Sequence, residues 1–139
     1  SGTVPSSDVA ALATSYRAFA ELRDAGTVRS ADALGRGGLG LALARAVLSS
    51  DRGLDVDLPA LASLGAYGWL FSESTGRILF STAAADASAV ERALGSHGLL
   101  RLGAIGARGS GAALRVRYGG ETVLERSVAG LRQSYHAPT

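Results

Sequence analysis

The 139-residue sequence contains no cysteine, methionine, lysine or asparagine. Without cysteine there is no disulfide frame, no thiolate nucleophile and no cysteine-ligated zinc. Without lysine there is neither the phosphate-gripping lysine of a P-loop nor a Schiff-base amine. No methionine stands ahead of the opening "SGT", so a piece of a longer chain is expected, with residues 1–7 a lead or linker and 8–139 the domain. Aromatics make up 6% of the chain, and fourteen arginines stand against twelve acids for a net charge of +2. The arginines are scattered and not interleaved with aromatics, which argues against nucleic acid as a partner. No run reaches the ~20 apolar residues of a membrane span, and no signal peptide is visible, so a cytoplasmic protein is expected.

What is present suits a buried core: 47% of residues are hydrophobic and only three are proline. Ser6 or Ser7 can cap a first helix, with Asp8 in its first turn and Val9, Leu12, Tyr16, Phe19 and Leu22 as an apolar stripe. Gly26 is a plausible stop. "TVRSADAL" is a weak strand. "LGLALARAVL", Leu39–Leu48, is apolar nearly all round and reads as a buried helix. "LDVDL" alternates like a half-buried strand before Pro59. "PALASLGAYGWLFSES" holds one or two helical turns, and "GRILFSTA" is a strand. Asp86–His97 is a helix with Ala89, Val90 and Leu94 inward, and "LLRLGAIGA" is a glycine-interrupted strand. "ALRVRYGGETVLERS" forms a hairpin about Gly119-Gly120, and Ser127 caps a final helix. The order favours an α/β or α+β fold, a mixed sheet covered by helices.

Gly35-Arg36-Gly37-Gly38-Leu39-Gly40 satisfies the dinucleotide pattern G-x-G-x-x-G, and Asp55 and Asp57 lie near the offset of a ribose-binding acid. The strand ahead of the glycines is poor, however, carrying Arg29, Ser30 and Asp32. Two other readings remain open. Gly37-Gly38 at a helix start can offer N–H groups to an anion, or the glycines can permit close packing. The two histidines are poor catalysts: His97 ends a helix and His136 lies in a tail, each without a carboxylate nearby in sequence. Trp69 reads as core or interface.

An ordered series carries more weight: "GTVRSADALGRGGLGLALARAV", "GLDVDLPAL", "LFSESTGRILFS", "LLRLGAIGA". It resembles the C-terminal, AIR-synthase-related domain of phosphoribosylformylglycinamidine synthase, from about Val9 to Tyr135. "LFSESTGR", Leu70–Arg77, is its most specific part and points to the synthase over relatives in hydrogenase maturation, selenophosphate synthesis and thiamine phosphorylation. The family's loop is His-Asp-x-Ser-(Asp/Glu)-Gly-Gly-Leu. Here its His and Asp fall on Asp32 and Ala33, and its Ser and acid on Gly35 and Arg36, which reverses the local charge.

The resemblance implies an ATP-dependent amidotransferase of purine biosynthesis. ATP activates an amide oxygen of formylglycinamide ribonucleotide as a phosphate ester, and ammonia from a glutaminase displaces the phosphate. It implies ATP and Mg²⁺ in the full-length enzyme but neither bound by this domain alone, and no metal site here. The expected phosphate- and substrate-binding residues are Arg36, Gly37, Gly38, Ser72, Glu73, Ser74 and Arg77. Without the family, "SESTGR" reads as a loop whose serines cap a helix while Glu73 pairs with Arg77. The implied partners are the preceding domains of the same chain, a glutaminase, small accessory subunits, and a second copy through the domain sheet. Two alternatives stand beside this: a scaffold domain with a degenerate site, and a dinucleotide-binding domain.

Overall fold

A computed structural model describes residues 8–137 and divides the chain into two units that interleave along it. The first comprises residues up to Gly35 together with Glu73–Leu100; the second comprises Arg36–Ser72 and the residues from Arg101 onward. The expectations for residues 1–7, including capping by Ser6 or Ser7, lie outside the described residues.

In the first unit, Asp8 is itself the cap of α1 (Val9–Asp24), its carboxylate accepting from Ala11 N at 3.0 Å. That satisfies one of the donors a helix start leaves over. The apolar stripe of α1 is only partly covered. Phe19 meets Phe80 edge-on at 5.3 Å and Leu12 and Leu22 are half-buried, but Val9 and Tyr16 are exposed. Gly26, at φ +79°, follows the helix as expected. β1 (Val28–Ala33) pairs antiparallel with β2 (Ile78–Thr82), and the Ser30 and Ser81 hydroxyls join across the ladder at 2.6 Å. A helix, α2 (Ala87–Leu94), follows between two short 3₁₀ turns and buries Val90 and Leu94, with Ala89 half-buried.

The second unit is built on a four-stranded sheet. Its strands are β3 (Arg52–Leu58), β4 (Gly103–Arg108), β5 (Ala113–Tyr118) and β6 (Glu121–Ser127), in the order β4-β3-β5-β6. β3 and β5 run parallel, and the other neighbours are antiparallel. The β5–β6 hairpin turns on Gly119 and Gly120, both in the left-handed region that glycine enters without penalty. Against the sheet lie α3 (Gly38–Ser50) and α5 (Val128–His136), and the short α4 (Ala66–Phe71) packs on α3. Ser127 caps α5 by accepting from Gly130 N at 3.0 Å, and His136 belongs to its last turn, not to a tail.

Period-two alternation in β3 and β5 sends Val56, Leu58, Leu114 and Val116 inward, where they are buried with Leu39, Ala42, Leu43 and Val47 of α3. The opposite sheet face is charged. Parallel register sets Asp55 beside Arg115 and Asp57 beside Arg117. Arg115 bonds Asp55 at 3.1 Å and Glu125 at 2.6 Å, while Arg117 Nε donates to Asp57 at 2.6 Å.

Candidate functional site

The glycine loop builds the start of α3. Arg36 and Gly37 form a turn, Gly37 is the cap residue at φ +80°, and the helix begins at Gly38, φ +58°. The first helical bond runs from Leu41 N to Gly37 O at 3.3 Å. Gly38, Leu39 and Gly40 therefore have N–H groups without a partner inside the helix, at its positive end. Arg36 is exposed and makes no hydrogen bond or ion pair among the described residues.

Packing explains why Gly38 is glycine. A Cβ there would stand 2.7 Å from both Leu70 O and Ser72 O, the carbonyls that finish α4. At Gly40 a Cβ would meet the Phe71 ring at 3.3 Å. Of the two uses of glycine left open by the sequence, close approach of helix ends is realised at Gly38. The α4 turn is itself held from below: Trp69 Nε1 donates to Pro59 O at 3.1 Å, and Tyr118 Oη donates to Leu64 O at 3.0 Å. Ser72 ends α4 by donating its N–H to Gly68 O at 3.2 Å. On the outer side of α4, exposed Tyr67 and Phe71 lie one helical turn apart with ring centroids 5.4 Å apart. The spacing Tyr67-x-x-x-Phe71 was the sequence signal for this pair.

The remaining expected residues belong to the first unit. Ser74 is half-buried and Glu73 exposed, and Thr75-Gly76 turn the chain into β2. The segment thus leads into a strand, so its serines cap no following helix. Arg77 is half-buried; its main-chain carbonyl accepts from Leu34 N at 3.0 Å, and desolvation lowers its guanidinium pKa from the ordinary value. The expected residues divide between the units: Arg36, Gly37, Gly38 and Ser72 in one, Glu73, Ser74 and Arg77 in the other.

A dinucleotide site is not formed. It needs a parallel strand–helix–strand unit around the glycines. Instead β1 pairs antiparallel with β2, and β3 takes its parallel neighbour from β5. The two candidate ribose acids are engaged by Arg115 and Arg117. That salt-bridged face was legible as alternating charge in "LDVDL" and "LRVRY", once their parallel register is known. His97 Nδ1 lies 3.3 Å from Ser15 Oγ, which already donates to Ala11 O, and among the described residues no carboxylate completes a relay. No three His, Asp or Glu side chains gather among the described residues. A groove of about 500 Å³ between the C-terminal halves of α3 and α5 is lined by Arg45, Leu48, Ser49, Arg132, Tyr135 and His136, none of them an expected site residue.

Comparison with known proteins gives a consistent result. The family described as "AIR synthase related protein, C-terminal domain" matches residues 1–119. Phosphoribosylformylglycinamidine synthase subunit PurL of Salinibacter ruber is 39% identical over 113 residues, 81% of this chain but 15% of its own length. Thermotoga maritima PurL solved with FGAR superposes with a TM-score of 0.77 at 26% identity, covering 90% of this chain and 21% of that one. The PurLQS structure from the same organism gives 0.77 at 25% identity over 93% of this chain and 23% of that one. T. maritima PurL with ATP gives 0.71 at 26% identity over 85% and 21%. The chain therefore spans less than a quarter of the length of each of these relatives.

Proposed function

The chain belongs to the family of AIR synthase related protein C-terminal domains, and from that premise we propose that it serves as such a domain in a phosphoribosylformylglycinamidine synthase. That enzyme is the ATP- and glutamine-dependent amidotransferase of purine biosynthesis, here acting in the cytoplasm. The carrying observation is agreement in both sequence and fold with PurL along most of the chain.

The chemistry proposed for these residues is recognition of phosphoryl oxygens, not bond making. The Arg36 guanidinium projects from the turn ahead of α3 and can hold a phosphate through two parallel N–H bonds. The N–H groups at Gly37 and Gly38 add the positive end of the helix. In the other segment, Ser72 and Ser74 carry hydroxyls and Arg77 a partly desolvated cation, whose attraction for an anion is less screened than in water. ATP, when bound by the full-length enzyme, supplies the phosphoryl group that activates the amide. The chain alone is inactive in this reading. Its partners are the preceding domains, a glutaminase and a small accessory subunit, in an assembly of the PurLQS kind.

A second reading, a scaffold domain, is favoured by one observation: packing against α4 accounts for Gly38 without any ligand. Calorimetric titration separates the two. Binding of inorganic phosphate that weakens about tenfold in Arg36→Ala supports the phosphate-facing role. Silence toward phosphate, ATP and NAD favours the scaffold, and NAD binding alone overturns both. The reading frame tests the domain assignment itself. A frame continuing upstream into a domain with an intact His-Asp-x-Ser-Asp-Gly-Gly loop is expected; one beginning near Val4 would sink it.

A further inference from the structure

We propose that the open edge of β4 docks an extended segment of a partner polypeptide, apolar at its centre and acidic at both ends. Among the described residues, β4 terminates the four-stranded sheet and is hydrogen-bonded on one side only, to β3. All six residues, Gly103–Arg108, are exposed. Such an edge is a template for another strand, and proteins ordinarily blunt it with charge or proline. The other edge, β6, carries Glu121, Glu125 and Arg126. "GAIGAR" has no proline and no charge before its last residue. Ile105, 52% exposed, lies opposite Leu54 and on the same sheet face, offering an apolar contact to the middle of an added strand.

Charge selects the occupant. Exposed Arg101 precedes the strand and exposed Arg108 ends it, and neither joins an ion pair among the described residues. Arg108 stands opposite Arg52 in the β3–β4 register, a like-charge pairing that costs stability. Arg52 turns aside to donate to Gly106 O at 3.3 Å. The carboxylates of β3 and its preceding turn are already committed: Asp51 to Arg132 at 3.0 Å, Asp55 to Arg115 at 3.1 Å and Asp57 to Arg117. A second copy pairing antiparallel through the same strand would set the Arg101 end of one against the Arg108 end of the other, and like charges would oppose it. A strand carrying an acid at each end compensates both arginines, while main-chain bonds supply the affinity.

The test titrates the 139-residue chain with a fluorescently labelled synthetic peptide, EDTVTVDE, and follows anisotropy. Saturable binding is expected, weakening about tenfold or more in the double variant Arg101→Glu/Arg108→Glu and at high salt. It should vanish when alternate peptide amides are N-methylated, a change that leaves the protein and the peptide charge untouched. Binding that survives N-methylation is charge attraction without strand pairing and overturns the proposal. Equal binding of the neutral peptide STVTVTSS overturns it, as does no saturation. A chain that sediments as a dimer, dissociated by Ile105→Pro, where the native N–H is on the side away from β3, makes a second copy the occupant and overturns it as well.

Discussion

At Gly38 two main-chain carbonyls close on the Cα from the side where any other residue would carry Cβ, and carbonyls cannot swing away as side chains do. Gly38→Ala is expected to destabilise the protein by about 2–4 kcal/mol in urea unfolding, from the clash together with the positive φ. Gly35→Ala, three residues earlier, meets nothing within 4 Å and should stay within about 0.5 kcal/mol of wild type. The same pattern "GRGGLG" thus contains two glycines under steric compulsion, Gly37 and Gly38, and one, Gly35, that is free to change. A second residue-scale prediction concerns acid. The Arg117 hydrogen bond holds the Asp57 carboxyl below its usual pKa, and Arg115 does the same for Glu125. Carboxyls depressed in the folded state stabilise it above their unfolded pKa of about 4, and this is lost as pH falls through the folded values. Comparing melting temperatures of wild type and Asp57→Asn/Glu125→Gln should show a gap at neutral pH that closes in acid. Because these groups are solvent-exposed, the gap should also shrink with salt.

At the scale of the element, stability is concentrated where period and burial agree. Leu43 is 1% exposed in the middle of α3, so Leu43→Ala should cost about 2–5 kcal/mol. Ser127→Ala removes the cap of α5 and should cost about 1 kcal/mol, read from the same unfolding curves. These elements were legible in the sequence for the reasons that make them stable. Ser127 precedes a helical pattern, Gly119-Gly120 can only be a turn, and Leu114 and Val116 alternate with arginines. What stayed hidden depends on neighbours distant in the chain. Nothing local says that Val9 and Tyr16 lie outside the covered part of the α1 stripe, or that Gly38 faces the carbonyls of Leu70 and Ser72. The weak strand "VRSADA" exists because β2 pairs with it, and its antiparallel sense is what removes the dinucleotide reading. The expected site residues were legible as motif positions; their division between two units was not, since sequence adjacency at Ser72-Glu73 conceals it.

For the whole molecule, the chain crosses between its two units after Gly35, after Ser72 and after Leu100. Neither unit is a contiguous stretch. A fragment ending at Ser72 holds β1 without β2, and β3 without β4 or β5. Such a fragment should show little sheet signal by circular dichroism and no cooperative melt. The order of synthesis carries the same constraint. β1 is made well before the strand it pairs with, which follows only after α3, β3 and α4. β3 in turn must wait for β5. Neither unit therefore closes until most of this stretch has been made. Between those moments, unsatisfied strands are held open on the nascent chain, where pausing or a chaperone would have its greatest effect.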